Sequence, residues 1–583
     1  MQNIHNLSQQ MALKKIAKVV SADVLATIQS HLIKDDHNDV ASVTMRSSYC
    51  RHKYYKTHFQ FVPPSEISLG LNKQNLASVY HYVPIESLIQ FLMSSAPAPQ
   101  PNMVETSFDL ISGQVFKQSQ ENEIQVVLYQ DEFEIANPLG SARGNFKLLG
   151  VYMTLGNLPL HCRLQTASMQ LVMLCRQRHV KEFSLGQVLR PLTEDLVRLE
   201  ATGMIINGVK HNVRLSFIVG DNLGSHAVGG FTQNFSTSVY FCRYCLVRRS
   251  EFQQMPHVVG ERRTPENYNE ALERLAMRNT GDSEQGIVCN SPFHALKHFH
   301  VCKYGLPPCI GHDLFEGVVR LDLALYLKYF VKQRHWFTYD YLNHRIAAMK
   351  YSANDVRNKP AVVSSQGDKL TGHAIQIWTF LRLLPLYIGN KIADRDDPVW
   401  ELVRMLAEIV DVVMATKITL AQVAYLKVLV EEYLTSRIEL FPLQKLKPKH
   451  HYMLHYSELI EEFGPLVHVW TMKFEGKHQY FKECIRSVRN FKNVTKTLSE
   501  KHQLYQFLFS SARLVPYCRG EFVDMSQDEQ HALNISWRHS QILHKNVLLK
   551  KAVVNRLVCM VGSYVLISDT KYDVTFGLLI AVA

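Results

Sequence analysis

Carboxylates among cations, a spaced pair of thiols and a cluster of imidazoles are the side chains in this sequence that could do chemistry together. From Lys447 to Glu483 the chain reads KPKHHYMLHYSELIEEFGPLVHVWTMKFEGKHQYFKE, with His450, His451 and His455 inside six positions. A Gly464-Pro465 turn follows, and twenty residues past His455 stands Glu475. From Lys473 to Lys501 eight lysines and arginines accompany only three glutamates, so Glu475 sits in basic surroundings. An acid among cations suits phosphodiester chemistry, the carboxylate holding a divalent ion and the cations holding phosphates. Upstream, Asp131 and Asp221 each stand at the end of a short apolar run. Three carboxylates from separate elements can hold two Mg2+ (or Mn2+) ions, which take oxygen ligands and accept substrate phosphates in their shells.

Twenty-one residues after Asp221 comes Cys242-Arg-Tyr-Cys245, half of a tetrahedral zinc site. No second Cys-x2-Cys follows, so the remaining ligands must come from afar. His451 and His455, four apart, would share one face of a helix and are the best donors, with His450 as the alternative to His451. Four protein ligands would close the site, making the zinc structural. A rival cluster lies in SPFHALKHFHVCKYGLPPCIGHDLFEGVV, where His294, His298 and His312 could centre a zinc hydrolase. There Asp313 fits an N-terminal capping role, and it is also the alternative to Asp221 as second carboxylate.

These groups must be held by recognisable elements. Glu123–Gln130, Asn145–Leu155, Ser168–Cys175 and Asn212–Val219 read as strands. Ser184–Leu199 reads as a helix interrupted at Pro191. The order is three strands, a helix and a strand, with an acid at the carboxyl ends of the first and fourth strands, where α/β folds collect their chemistry. Residues 246–290 read as a polar surface excursion. From Leu314 to Arg437 apolar residues recur at helical spacing throughout. Beyond Glu475 a helix is expected with Phe474, Phe481, Ile485 and Val488 on its buried side. His478, Lys482, Arg486 and Arg489 lie along the stripe of Glu475, and Lys477, Lys482, Arg486 and Arg489 are the candidate DNA contacts.

The N-terminal part is less legible. A helix is expected over Ser21–Leu32. The basic, aromatic stretch around Arg51, Lys53 and Lys56 reads first as a strand with a solvated face and second as a nucleic-acid surface. The last fifty residues return to β character and stop on an apolar strand, as a truncated product would.

At 583 residues the chain can form two to four domains. A hydrophobic content of 46% and a charged content of 20% exclude disordered and collagenous classes. The net charge of +12 points to a polyanionic partner. Neither a secretory signal nor an apolar run of ~18 residues is evident, so an intracellular, reducing setting without a membrane span is expected. There, close cysteines serve metal binding more often than disulfides.

The segments VVLYQDEFEIANPLGS, SFIVGDNLGSH, YFCRYC, HHYMLH and GPLVHVWTMKFEGKH occur in an order that resembles the DDE transposases of the CACTA/En-Spm type, relatives of the antigen-receptor recombinase catalytic core. The resemblance spans about residues 120–490. It implies an RNase H-like α/β core interrupted by a large all-helical insertion, with Asp131, Asp221 and Glu475 as catalytic metal ligands. The implied division is an N-terminal α/β region (1–120), the first part of the core with the cysteine pair (121–245), the insertion (246–440), the histidine and Glu475 helices closing the core (441–510) and a β-rich C-terminal segment (511–583). The resemblance further implies metal-dependent cleavage and transfer of double-stranded DNA at transposon ends, a homo-oligomer on DNA, and nuclear residence. The sequence departs from the family's pattern in two ways: Glu132 beside Asp131 leaves the inward acid undecided, and no terminal DNA-binding finger is evident. The alternative is a transposon-derived DNA- or chromatin-binding protein without catalysis.

Overall fold

The computed structural model describes residues 47–58, 61–95, 109–110, 113–117, 122–135, 146–158, 160–163, 165–278, 283–353, 355–364, 370–488, 490–511, 520–522, 549–554, 557–560, 564–569 and 574–578. The helix expected over Ser21–Leu32 lies outside them, as does Arg489. The chain divides into two compact units, Met1–Gln503 and Leu504–Ala583.

The first unit is mixed α/β, built on a seven-stranded sheet. Its strands are β1 (Ser65–Leu71), β2 (Ala77–Tyr82), β3 (Glu123–Glu134), β4 (Lys147–Leu155), β5 (Gln170–Arg176), β6 (Met204–Ile206) and β7 (Val209–Gly220). Their order across the sheet is β1-β2-β5-β4-β3-β7-β6. Every neighbouring pair is antiparallel except β3 and β7, which run parallel with Gln130 opposite Gly220. Alternation along β3 explains its central place. Ile124, Val126 and Leu128 join one apolar core, and Val127, Tyr129 and Phe133 join the other, as the two-residue period of a strand covered on both faces requires. β3 continues past the expected Gln130, so Asp131 lies within the strand.

On one face packs α1 (Ile85–Ser95) with α2 (Leu185–Thr202). Ser184 caps α2, its hydroxyl accepting from the Gln187 amide. Pro191 does not interrupt α2, contrary to expectation: the helix runs through it. Burial of Val188, Leu189, Leu192, Leu196 and Leu199 offsets the roughly 3 kcal/mol that an interior proline costs. After β7, α3 (Asn222–Gly229) starts at once, with Asp221 as its N-cap.

The other core belongs mostly to helices: α4 (Val319–Lys328, entered through a π-type segment, Gly311–Val318), α5 (Ala374–Ile388), α6 (Pro398–Val413), α7 (Leu420–Leu440), α8 (Pro448–Met453), α9 (Tyr456–Phe463), α10 (Met472–Val488) and α11 (Val494–Ser511). The helical pattern from Leu314 to Arg437 is not continuous: short breaks fall near residues 334–338, 392–397 and 414–419, the last holding a strand at Ile418–Thr419, and the longest lies between Met349 and His373, whose described residues carry only a short 3-10 turn. Residues 246–290 are not a plain excursion, since they hold helices at Arg249–Gln254 and Pro265–Arg278. The basic stretch expected as a strand is a helix, Ser48–His58, whose sequence lacks the β-branched alternation a strand needs. Gln253 and Leu446 exchange two hydrogen bonds, Nε2 to carbonyl at 2.9 Å and amide to Oε1 at 3.1 Å, so the intervening chain leaves and returns at one point.

The second unit contains an antiparallel sheet of Gly520–Phe522, Leu549–Val554 and Leu557–Met560, and a hairpin of Tyr564–Asp569 with Val574–Leu578. These strands agree with the β character expected there. Among the described residues no helix is long and apolar enough to cross a membrane.

Candidate metal centres

Two groups of polar side chains occupy the ground between the sheet and the helices. The first starts at the parallel pair β3–β7. The register, Gln130 opposite Gly220, sets Asp131 inside β3 beside Asp221, which directly follows the end of β7. Asp221 Oδ1 accepts from the Gly224 amide at 2.6 Å, and Gln130 Nε2 donates to the Gly224 carbonyl at 2.7 Å. A Cβ at Gly224 would come within 3.0 Å of Gln130 Nε2 and 3.1 Å of Asp221 Oδ1, so any side chain there would press on the two groups that hold this turn. Helix α10 brings Glu475 to the same end of the sheet. Phe474 stacks on Tyr129 with ring centroids 4.6 Å apart, and His478 stacks on Phe133 at 4.2 Å.

Asp131 is the acid that turns toward α10. Its Oδ2 accepts from the Tyr129 hydroxyl at 3.0 Å and lies 3.7 Å from His478 Nδ1. Glu132 is engaged elsewhere, by Lys147 at 2.6 Å and by Gln177. Burial, then the charge of Asp221, with a smaller contribution from Glu475, push the Asp131 carboxyl up to about 7. Burial, helped by Lys482, pushes His478 down to about 3, so this imidazole is neutral and its contact with Asp131 is not an ion pair. Glu475 Oε1 accepts from the Thr471 hydroxyl at 2.7 Å, and Thr471 Oγ1 in turn lies 3.1 Å from Cys309 Sγ. Carboxylates close enough to raise the pKa of Asp131 are the condition a divalent ion relieves, and the donor set of oxygens fits Mg2+ or Mn2+.

The second group is Cys242, Cys245, His451 and His455, all buried, with ligand atoms within 4.8 Å of one another. Among the described residues no other set of three or more such side chains meets that distance, the carboxylate trio included. Cys245 Sγ lies 3.2 Å from His451 Nε2, Cys242 Sγ 3.5 Å from His455 Nε2, and the two Nε2 atoms 3.2 Å apart. A tetrahedron with bonds of ~2.0–2.3 Å has edges of roughly 3.3–3.8 Å, so these four residues could hold a structural zinc ion. Against the effect of burial, donation from Cys245 and the imidazoles of His455 and His451 hold the Cys242 thiol well below its usual range, and Cys245 is correspondingly raised. Phe241 and Phe252 pack edge-on to His451, and Tyr244 covers His455 at 5.1 Å, an apolar jacket that keeps water out.

The two imidazoles do not ride one continuous helix. His451 is in α8, and His455 follows that helix's C-cap, Leu454, and caps α9. His450 is turned away: its Nε2 meets Asp322 Oδ2 at 3.0 Å, and its Nδ1 accepts from the Lys447 amide. His294 and His298 are exposed, and His312 is paired with Cys309 at 3.0 Å, so the rival histidine set is not brought together. Asp313 does not cap its helix. It lies inside Gly311–Val318, fully buried, and accepts from Asn222 Nδ2 at 2.6 Å.

The basic stripe of α10 is divided. Arg486 is exposed and Lys482 half-buried, whereas Lys477 is buried with its Nζ 3.3 Å from His502 on α11 and cannot meet DNA from the surface. Val488 is only half-buried, unlike Phe474, Phe481 and Ile485. Sequence reasoning missed Tyr129, Asn222, Arg243 and Thr471, each adjacent to or two or four residues from a candidate ligand. The one available signal was an arginine between two cysteines, an odd place for a charge.

No protein-family model matches this chain, and no curated protein sequence matches it.

Proposed function

We propose that this protein is a transposase-like enzyme of the DDE type, cutting and joining double-stranded DNA with Asp131, Asp221 and Glu475. The observation that carries this reading is the adjoining of Asp131, on β3, and Asp221, the residue directly after the parallel strand β7, faced by the helix of Glu475. The order of three antiparallel strands, a helix and a returning parallel strand supports an RNase H-like core, with the helices between Gln253 and Leu446 as its insertion. Two divalent ions bound by these acids would supply an activated water or 3′-hydroxyl and stabilise the leaving oxygen. The protein's own part is to orient the carboxylates: Tyr129 and the Glu132 amide fix Asp131, the Gly224 amide fixes Asp221, and Thr471 fixes Glu475. Arg486 and Lys482 would bind phosphates beside them. The reading carries with it assembly of several copies on DNA ends and residence in the nucleus.

The test is nicking of supercoiled plasmid with Mg2+ or Mn2+ by the wild type, Asp221→Asn and Glu475→Gln. Nicking by the wild type and its loss in both variants is expected. Equal nicking in all three would refute the carboxylate site. A folded, zinc-loaded wild type that binds DNA without nicking it would instead identify a non-catalytic DNA-binding protein.

A further inference from the structure

Between the two candidate centres lies a chain of buried polar groups that neither requires. Arg243 stands between the two cysteines, yet its side chain is only 2% exposed. Its guanidinium carbon lies over the rings of both Tyr244 and Tyr452, 4.5 and 5.0 Å from their centroids, in the corner those two perpendicular rings make, and each tyrosine is the sequence neighbour of a metal-ligand candidate, Cys245 or His451. Arg243 Nη1 donates to Asn222 Oδ1 at 2.8 Å, with a longer contact of 3.4 Å from Nη2 to the Pro307 carbonyl. Asn222 Nδ2 donates to Asp313 Oδ1 at 2.6 Å, and Asp313 is fully buried. The amide is therefore set between a guanidinium donor facing its oxygen and a carboxyl oxygen facing its nitrogen, so it has one orientation only. Asn222 directly follows Asp221 and opens α3, where the Gly224 and Ser225 amides bond to Asp221 at 2.6 and 2.8 Å.

The geometry points to Arg243 as a positioning residue that ties the Cys242–Cys245 turn to the backbone bearing Asp221, so that zinc in the Cys2His2 site sets the placement of the second carboxylate. The functional meaning of this link rests on the carboxylate-site reading; the link itself does not. Removing zinc frees the turn, the guanidinium loses its fixed seat against the two tyrosines, and Asn222 loses the group that orients it. A buried arginine so placed costs desolvation and is hard to account for by stability alone, since a well-packed apolar residue there would stabilise as much.

The experiment is hydrogen exchange of the peptide covering residues 219–225, in full-length protein with one zinc bound and after chelation. Chelation is expected to raise exchange there about tenfold, within the usual range of coupling between sites, while a peptide from β4 stays protected. Asn222→Leu should show the same rise with zinc still bound at one ion per chain, and chelation should then add nothing at this peptide. Should that variant fail to fold, Arg243→Lys serves, because a single ammonium cannot reproduce the planar fork. Wild-type protection of 219–225 in a zinc-loaded variant, or an undiminished chelation effect in it, overturns the link. Mn2+ affinity separates the two ideas. If exchange behaves as stated but Mn2+ binding ignores Asp131→Asn and Asp221→Asn, the link stands and the carboxylate-site reading falls.

Discussion

Thr471, the residue directly before α10, donates its hydroxyl hydrogen bond to Glu475 across 2.7 Å, one turn ahead of the acid it serves. Because Cys309 lies 3.1 Å from the same hydroxyl, Thr471 has one proton and two neighbours that could accept it. Cys309 in turn contacts His312, which it and nearby acids push up to about 10 against the effect of burial. Hydrogen bonds to a charged group contribute about 1.5–3 kcal/mol. Thr471→Val should therefore lower nicking about tenfold or more and raise the Mn2+ concentration needed, whereas Thr471→Ser should restore both. A metal titration of the nicking rate checks this, and equal rates for the valine and serine variants would contradict it.

The Asp131 carboxyl, raised to about 7, gives the metal-free protein a specific pH dependence. In the unfolded chain this group titrates near 3.9, so between about pH 4 and 7 the folded state holds the extra proton. Stability from this group is present below pH 4 and declines as pH rises through 7. Asp131→Asn should remove that decline and stabilise the metal-free protein at pH 8, by no more than about 4 kcal/mol. Metal binding should tighten over the same pH interval, since it needs the ionised acid. Glu132→Gln, which loses only a half-exposed pair with Lys147, should change stability by less than about 1 kcal/mol and leave nicking intact. Urea melts at pH 5 and 8 with and without Mn2+ measure all of this.

Adjacent histidines should behave oppositely. His451→Ala should abolish stoichiometric zinc, while His450→Ala should keep it. The second variant still loses stability, by about 3–5 kcal/mol, because it strips a partner from a buried anion. Although burial opposes its charge, His450 and Arg437 hold Asp322 well below the usual carboxylate range, and Tyr433 donates to it at 2.6 Å. Zinc content by elemental analysis beside a denaturant melt distinguishes the two; zinc loss in His450→Ala would overturn the ligand assignment.

The basic residues of α10 should divide in the same manner. Arg486→Ala should weaken DNA binding evenly across sequences and reduce the salt slope by about one. Lys477→Ala should destabilise the fold, since it empties a buried contact with His502. Salt titrations of binding and thermal melts on both variants suffice.

How much of this could be read beforehand depends on the range of the interaction. β3 and β7 were legible because β-branched runs end on acids, and period-two burial is local information. The cysteine pair and His451 with His455 were legible because ligand chemistry restricts the residue types. Lys477 was not, since helical periodicity shows a face but not what covers it, and α11 covers this one. Asp313 misled for a related reason. Its position before an apolar helix suits a cap, but its partner, Asn222, is 91 residues away. Glu132 and Asp131 differ only in the face they take, which the register with β4 decides.

The Cys2His2 group also has a history in time. Cys245 is synthesised 206 residues ahead of His451. At about 5–20 residues per second, the thiol pair emerges roughly 10–40 s before its imidazoles exist. Throughout that interval the nascent chain carries half of a coordination shell, open to oxidation or to capture by softer ions. Because Gln253 and Leu446 join at the point where the helical part returns, the shell can be completed only after that part has come back to its own beginning. Capture of a metal by these four residues would then mark the end of this stage of synthesis.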